Sequence, residues 1–503
     1  MKKTLIRLTG GALAVLGVTL AANGLATYDN AIPRWWEPGD KRDFPREQTF
    51  ANEYGKLTTL NAAGSTATVG HPFFTALGGN GRACISCHQP SDGMSLSLKT
   101  INERWALLGE RDPIFAPSDG ANCPNLPMKE RASHSLVLER GLFRIPRVWP
   151  PRDAAGNEVK PEFTIEVVRD PTGCNTSPEY GLASAAPTIS VYRRPRPVAN
   201  LKYITAVGFS FDPKSGLPLQ RDPRTGQYVS EALMADTRVL TLTDQAIDAM
   251  RTHLQMQGDP TPEQVAQILA FESQISSAQS HDAWGGSLAD AGARGGPQHI
   301  EEGQGGELQS GANPIWREFL AWKAGKAAPS ANLEQQAFRE SVARGAELFS
   351  KRNFLIKGSA GINSMGFGDP VLNSCAMCHN MHGSGIDIAP GRIDLGTTNE
   401  PHAKPSPELP LFKLTCGDGY KPHPFLGKVV YTQDPGYALT TGRCEDIGKI
   451  TTQSMRGLAA RAPYFSNGSA ASLREIVDIY DRRYHIQFTE QEKQDLVNLM
   501  KVL

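Results

Sequence analysis

Two five-residue strings carry the clearest chemistry in this chain. Cys84-Ile85-Ser86-Cys87-His88 and Cys375-Ala376-Met377-Cys378-His379 share one pattern, Cys-x-x-Cys-His. Two thiols one helical turn apart can each form a thioether to the two vinyl groups of a single haem. The histidine that follows then comes under the iron as its proximal ligand. At this composition a chance copy is expected roughly 0.003 times in the whole chain, so two copies are not accidents. A zinc site holds its cysteine pairs close together in sequence, whereas these lie about 290 residues apart. A thioredoxin-like redox pair has no need of a histidine after each pair. The spacing therefore implies two covalently bound haem c groups, one on Cys84, Cys87 and His88, the other on Cys375, Cys378 and His379.

Four cysteines remain: Cys123, Cys174, Cys416 and Cys444. Their expected role follows from the N-terminus. Met1 to Ala26 has a basic start (Lys2, Lys3, Arg7), an apolar run from Leu8 to Leu20, and small residues at Gly24 and Ala26. This is a secretory signal pattern, with an uncleaved anchor as the alternative. Outside the cytoplasm the remaining cysteines are expected in disulfides. Nearest-neighbour pairing gives Cys123–Cys174 and Cys416–Cys444; four cysteines allow three pairings, so this is a preference.

The rest of the composition is that of an ordinary globular chain. Its 503 residues are enough for two or three domains. Lys+Arg and Asp+Glu balance at 52 each. That excludes the basic footprint of a general nucleic-acid binder. Beyond the signal no apolar run is long enough to span a bilayer.

Several elements must position the two strings. Residues 243–257 read as helical. Thr261-Pro262-Glu263-Gln264 opens another helix, with Thr261 as N-cap, Pro262 at the first position and Gln264 three on. Its apolar face is Val265, Ile268, Leu269 and Ile275. Asn332 is a cap for a helix with Phe338, Val342 and Phe349 inward. Ser472-x-x-Glu475 and Thr489-x-x-Glu492 are capping boxes, each opening a helix. The last helix turns Leu496, Leu499, Met500 and Leu503 to the core. Between Asp112 and Gly226 the chain is rich in Pro and Arg, with β-like runs such as Phe163 to Val168. Residues 383–450 are also loop-rich. From Gly285 to Gly311 there are nine glycines, a linker or mobile-loop signal. The expected organisation is a signal over 1–26, a first haem domain with insertions over 27–284, a Gly-rich linker or mobile loop over 285–330, and a second haem domain over 331–503. The fold class is mainly α: two cytochrome c-like domains with long loop insertions and a few short strands.

Met455-Arg456-Gly457-Leu458-Ala459-Ala460-Arg461-Ala462-Pro463-Tyr464-Phe465-Ser466-Asn467-Gly468-Ser469 resembles a signature of bacterial di-haem cytochrome c peroxidases and their MauG-like relatives. Leu473 to Tyr480, Phe73-Phe74 and the stretch Leu233 to Arg238 with Leu242 and Gln245 are similar too. The resemblance implies that peroxide reacts at the N-terminal haem and that the C-terminal haem stores and relays electrons. It implies a second ligand on the C-terminal iron at the position of Tyr480. The helix capped by Ser472 independently places Leu473, Ile476, Val477 and Tyr480 on one inward face. The alternative for Tyr480 is a core tyrosine with a satisfied hydroxyl, and Met455, Met381 and His382 are rival ligands. In the family the peroxide pocket holds a glutamine, an acid ten residues later, and a tryptophan between the haems. The matching positions are Gln245, Gln255 and Ala235, and Ser466 stands where a histidine is usual. Splitting the O–O bond needs a group that takes a proton from one oxygen and gives it to the other. Gln255 cannot exchange a proton as a carboxyl does. His253, eight residues after Gln245 and nearly on its helix stripe, is the alternative acid–base group. His71 is a further candidate near the first haem, and Trp284 and Trp316 are candidate electron relays. The resemblance also implies a calcium ion held by backbone carbonyls, and Pro463 matches.

These readings describe an exported, periplasmic-type di-haem oxidoreductase using peroxide or dioxygen. A small redox protein, or a protein or small-molecule substrate, supplies electrons. The basic run Arg193-Arg194-Pro195-Arg196 could dock an acidic partner, or be a solvated loop. The alternatives are a non-enzymatic electron carrier and an oxygenase related to the di-haem rubber oxygenases.

Overall fold

A computed structural model describes residues 35–153, 156–205, 210–211, 218–219, 221–302, 315–325, 332–379 and 391–503. The signal segment Met1–Ala26 and the rival ligands Met381 and His382 lie outside the described residues.

The first haem string is built against an aromatic core. Trp36, Phe44, Phe73, Phe74 and Phe271 are almost completely buried and pack ring against ring, Phe73 to Phe271 at 4.6 Å between centroids. The expected helices cover this core. The first runs Leu242–Thr252, capped by Thr241, whose hydroxyl accepts from the Asp244 amide at 3.1 Å. The second runs Pro262–Gln274 and carries the full reciprocal box between Thr261 and Gln264. Its Val265, Ile268 and Phe271 are buried. The same half holds an antiparallel sheet in the order Glu47–Asn52, Gly55–Asn61, Ile275–Asp282, Gly286–Ser287. Gly55 pairs with Asp282. A Cβ there would lie 2.1 Å from the carbonyl oxygen of His281, so the close strand approach needs glycine.

The second string is positioned by three helices: Leu333–Lys351, Leu473–Tyr484 and Glu490–Lys501. Asn332 caps the first, its Oδ1 accepting from the amides of Glu334 and Gln335 at 3.0 and 3.2 Å. Phe338, Val342 and Phe349 face the core as expected, as do Leu496, Leu499, Met500 and Leu503. Gly345 lets the first and last helices meet, for a Cβ there would lie 2.1 Å from the Asp495 carbonyl oxygen. Thr489 and Glu492 form a full capping box. Ser472 caps its helix, but the Glu475 carboxylate accepts from the Ala471 amide instead of closing back on Ser472.

The two loop-rich stretches fold together. Phe163–Arg169 pairs antiparallel with Leu411–Cys416, which pairs in turn with Val429–Thr432. Phe143–Val148 pairs with Thr188–Arg193. Ile189, Val191, Phe412, Leu414, Val430, Leu439 and Ile447 form one buried cluster. Both expected disulfides are present, Cys123–Cys174 and Cys416–Cys444, with Cα–Cα distances of 5.2 and 6.0 Å. The architecture is therefore mixed helix and strand, 31% and 18%, rather than mainly α. The extra strand content comes from partners some 250 residues apart (Phe163 with Cys416, for example), which no local period reveals. Of the glycine-rich stretch, residues 285–302 and 315–325 are described. They carry the short strand Gly286–Ser287, the helix Pro297–Glu302 and two single helical turns.

Candidate functional site

The first string lines a partly open cavity, together with Gln245, His253 and Glu272. Cys84–Cys87 is a single helical turn. Two side chains lock the chain that follows it. Gln89 accepts from the Trp36 amide at 2.8 Å and donates to the Trp36 carbonyl at 2.9 Å. The Gln89 amide then bonds back to the Ser95 carbonyl, which brings the Met94 carbonyl 3.0 Å from His88 Nδ1. A carbonyl only accepts, so Nδ1 carries the proton and Nε2 keeps its lone pair. This is how an iron-binding histidine is oriented. Burial first, opposed by the Met94 bond and reinforced by His253, pushes His88 down to about 4. The ring is neutral, as a ligand must be.

His253 ends the Leu242–Thr252 helix as its C-cap. Its Nδ1 lies 2.7 Å from Asp119 Oδ2. Asp119 is 4% exposed, and its other oxygen pairs with the guanidinium of Arg82, 1% exposed. Arg82 is held in turn by the carbonyls of Pro113 and Ile114 at 2.6 and 2.7 Å. Burial alone would raise the Asp119 carboxyl, but Arg82 and His253 outweigh it and hold it below its ordinary value. The ionised carboxylate fixes the proton on Nδ1 and leaves Nε2 as the free nitrogen of a ring lining the cavity. Gln245 lines the same cavity, and its Oε1 is buried with no hydrogen-bond partner. Glu272 is 4% exposed, and its Oε2 also lacks a partner. Burial pushes its carboxyl up to about 8.

Gln255 does not join them. It is exposed, in left-handed backbone at φ +53°, and lines neither cavity. The helix has already ended at His253, so the spacing that placed Gln255 beside Gln245 no longer applies. His71 packs on Phe74 and Phe271, outside the cavity lining. Trp284 is 59% exposed, and Trp316 packs on Phe349 at 5.9 Å. Ala235 lines the first cavity. Sequence reasoning missed Asp119, Arg82 and Glu272. Arg82 lies two residues before Cys84. Asp119 has no local signal, since it reaches His253 across 134 positions.

The second string lines a second partly open cavity. Ser374 precedes it and donates to the Ser350 carbonyl at 3.1 Å, tying the string to the end of the Leu333–Lys351 helix. Tyr480, Met455 and Ser466 line the same space. Tyr480 packs between Phe465 and Tyr484 at 6.1 and 6.4 Å. Its hydroxyl bonds to no described residue, unlike Tyr484, which meets Ser359 Oγ at 2.8 Å. Burial holds the Tyr480 phenol well above its ordinary value, so only a cation beside it would draw off its proton. Each cavity thus holds the histidine of its string and two thiols outside any disulfide. The donor set fits thioether-bound haem. Among the described residues no group of three or more His, Cys, Asp or Glu is placed to hold a metal ion.

No family model matches the chain. Two curated proteins do. The cytochrome-c peroxidase IdrP1 of Denitromonas iodatirespirans is 31% identical over 205 residues, 37% of this chain and 44% of that protein. Over that stretch the chain is similar to a cytochrome-c peroxidase. The protein of the same name from Pseudomonas sp. (strain SCT) is 36% identical over 81 residues, 14% of this chain and 21% of its own. The chain therefore spans less than half the length of the cytochrome-c peroxidases it matches. A solved MauG-like protein associated with microbial copper homeostasis aligns over 61% of this chain and 82% of its own, at 18% identity and a TM-score of 0.27. Hydrazine synthase of Kuenenia stuttgartiensis aligns over 81% and 93%, at 14% identity and a TM-score of 0.30. Neither superposition is close enough to carry an argument.

Proposed function

We propose that this chain is an exported di-haem c-type cytochrome oxidoreductase of the peroxidase or MauG-like type. Cys84 and Cys87 would hold the first haem with His88 as iron ligand, and Cys375 and Cys378 the second with His379. Tyr480 is the candidate second ligand in the second cavity. When bound, the two irons supply the redox chemistry, with peroxide or dioxygen reacting in the first cavity and electrons relayed through the second. Kinship with cytochrome-c peroxidases supports haem c and a peroxide-type oxidant. The disulfides and the N-terminal signal pattern support export. Among the described residues no helix is long and apolar enough to cross a membrane. The electron donor is a small redox protein, or the reductant is a protein or small-molecule substrate. A carbonyl-held calcium ion near Pro463 belongs to this reading through the resemblance alone.

The observation that carries the reading is the His253–Asp119 pair on the first cavity. Asp119 orients the imidazole and stabilises the charge it gains on taking a proton at Nε2. That nitrogen can accept a proton from an entering peroxide and return it to the leaving oxygen. Gln245 Oε1, buried and unpaired, offers an acceptor for the same O–H. The acid–base role that Gln255 cannot fill thus falls to a histidine held by a buried carboxylate.

Low-temperature EPR of the resting ferric protein, before and after one equivalent of hydrogen peroxide, tests this. A high-spin signal that peroxide abolishes supports the enzyme. Low-spin signals that peroxide leaves unchanged, even after half-reduction, leave an electron carrier. In His253→Asn the peroxide-induced change slows about 100-fold or more. A variant as fast as the parent refutes the role of His253.

A further inference from the structure

The run Arg193-Arg194-Pro195-Arg196 is not a solvated loop. It lies between the two haem cavities. Arg194 and Pro195, with Ser454 from the C-terminal half, line both. Arg196 lines the first cavity and Arg461 the second.

The arginines differ in how they are neutralised. Arg193 is held between carboxylates, by Asp434 at 2.6 and 2.9 Å and by Asp236 at 2.7 Å. The other three have only carbonyls and a hydroxyl. Arg194 donates to the carbonyls of Gly141, Leu96 and Arg461 at 3.1, 2.5 and 3.1 Å. Arg196 donates to the carbonyls of Ala232 and Thr452 at 3.2 and 3.0 Å and to the Thr451 hydroxyl. Arg461, 8% exposed, donates to the carbonyls of Arg456 and Ser454. Among the described residues none of the three has a carboxylate within ion-pair distance. Burial, joined by Arg461 for Arg194 and Arg196, pushes each guanidinium down to about 10. Three buried cations gathered without an ion-pair partner are costly inside a protein, even with Asp92 acting on Arg194 and Asp236 on Arg196 from further away. The arrangement makes sense if the occupants of the two cavities bring the anions. Each haem carries two propionate carboxylates, and a guanidinium matches a carboxylate in shape and charge.

We propose that Arg194, Arg196 and Arg461 form a cationic partition that receives the propionates of both haems. Arg196 serves the first haem, Arg461 the second, and Arg194 is shared. The proposal rests on the di-haem reading above. It makes Arg194 a positioning residue that sets both potentials together, because a fixed positive charge beside a haem favours the reduced iron.

The test is a potentiometric titration of the holoprotein followed in the visible spectrum. Covalent haem is first counted per chain by the pyridine haemochrome and by intact mass. Fewer than two haems per parent chain overturns the di-haem reading itself. With two haems attached, R194Q is expected to lower both one-electron waves, R196Q one wave, and R461Q the other. The expected drop in the reduced-to-oxidised ratio at fixed potential is about tenfold, which is about 59 mV for one electron. R194K, which keeps the charge, restores both waves toward the parent and separates a charge effect from damage to the fold. Waves unmoved by all three glutamine variants overturn the partition. So does an R194Q that moves only one wave.

Discussion

Glu272 lies near the C-terminal end of the Pro262–Gln274 helix, where the helix dipole already disfavours a negative charge. It is 4% exposed, one carboxyl oxygen has no partner, and burial raises it from 4.5 to about 8. Between those two values the native chain keeps a proton that the unfolded chain has shed. Native stability therefore falls as pH rises through that window, by about 1.4 kcal/mol per pH unit. Across the window the loss reaches about 5 kcal/mol. Glu272→Gln keeps the shape and has no charge to bury, so it escapes this loss. Its stability relative to the parent should rise from pH 5 to pH 8 by several kcal/mol, then level off. Denaturant unfolding of the two holoproteins, followed by far-UV circular dichroism at pH 5, 6.5 and 8, measures the gap. A gap that is the same at all three pH values refutes the assignment of Glu272 as a neutral buried acid. So does one that shrinks as pH rises.

Asp119→Asn leaves the Arg82 guanidinium buried without its partner, and unfolding experiments should show a loss of about 3–5 kcal/mol at pH 7. Because the Asp119 carboxyl is depressed, its contribution is complete above the ordinary value and disappears as pH falls through the lower native one. The variant and parent should converge in strong acid. Serine at Cys174 or at Cys444 opens a loop of 51 or 28 residues, and each should cost about 4 kcal/mol in denaturant titrations, with the haem count per chain unchanged. Tyr480→Phe should alter the ferric EPR signal of one haem and raise its midpoint potential, since a phenolate ligand favours ferric iron. An unchanged spectrum would return Tyr480 to the core and leave Met455, which lines the same cavity, as the described rival.

The proposed acid–base group shows how local spacing can mislead. Counting ten residues from Gln245 reaches Gln255 only if the helix continues. It stops at His253, and the residue at the stop is the one that meets a carboxylate. The basic run tells a similar story. Three arginines in four positions read as a solvated charge cluster. The strand Thr188–Arg193 carries them inward, where Asp434 and Asp236 neutralise one and leave the others facing the cavities.

The sequence by itself marked the two Cys-x-x-Cys-His strings, favoured the disulfide pairing that the structure shows, and placed the capped helices at Thr261, Asn332 and Thr489. Each depends on chemistry within a few residues, or on a small set of thiols with few ways to pair. It also placed Tyr480 on an inward face, because a helix with a known start fixes the direction of every side chain along it. Only the tertiary structure decided the rest. Phe163–Arg169 becomes a central strand because Leu411–Cys416, far along the chain, lies beside it. Asp119 becomes part of a site because folding carries it 134 residues to His253. Glu272 and the three unpaired arginines owe their chemistry to burial. Whether a charged group is solvated, paired or left facing a cavity is fixed by which distant segments close around it, and that information is spread over the whole chain.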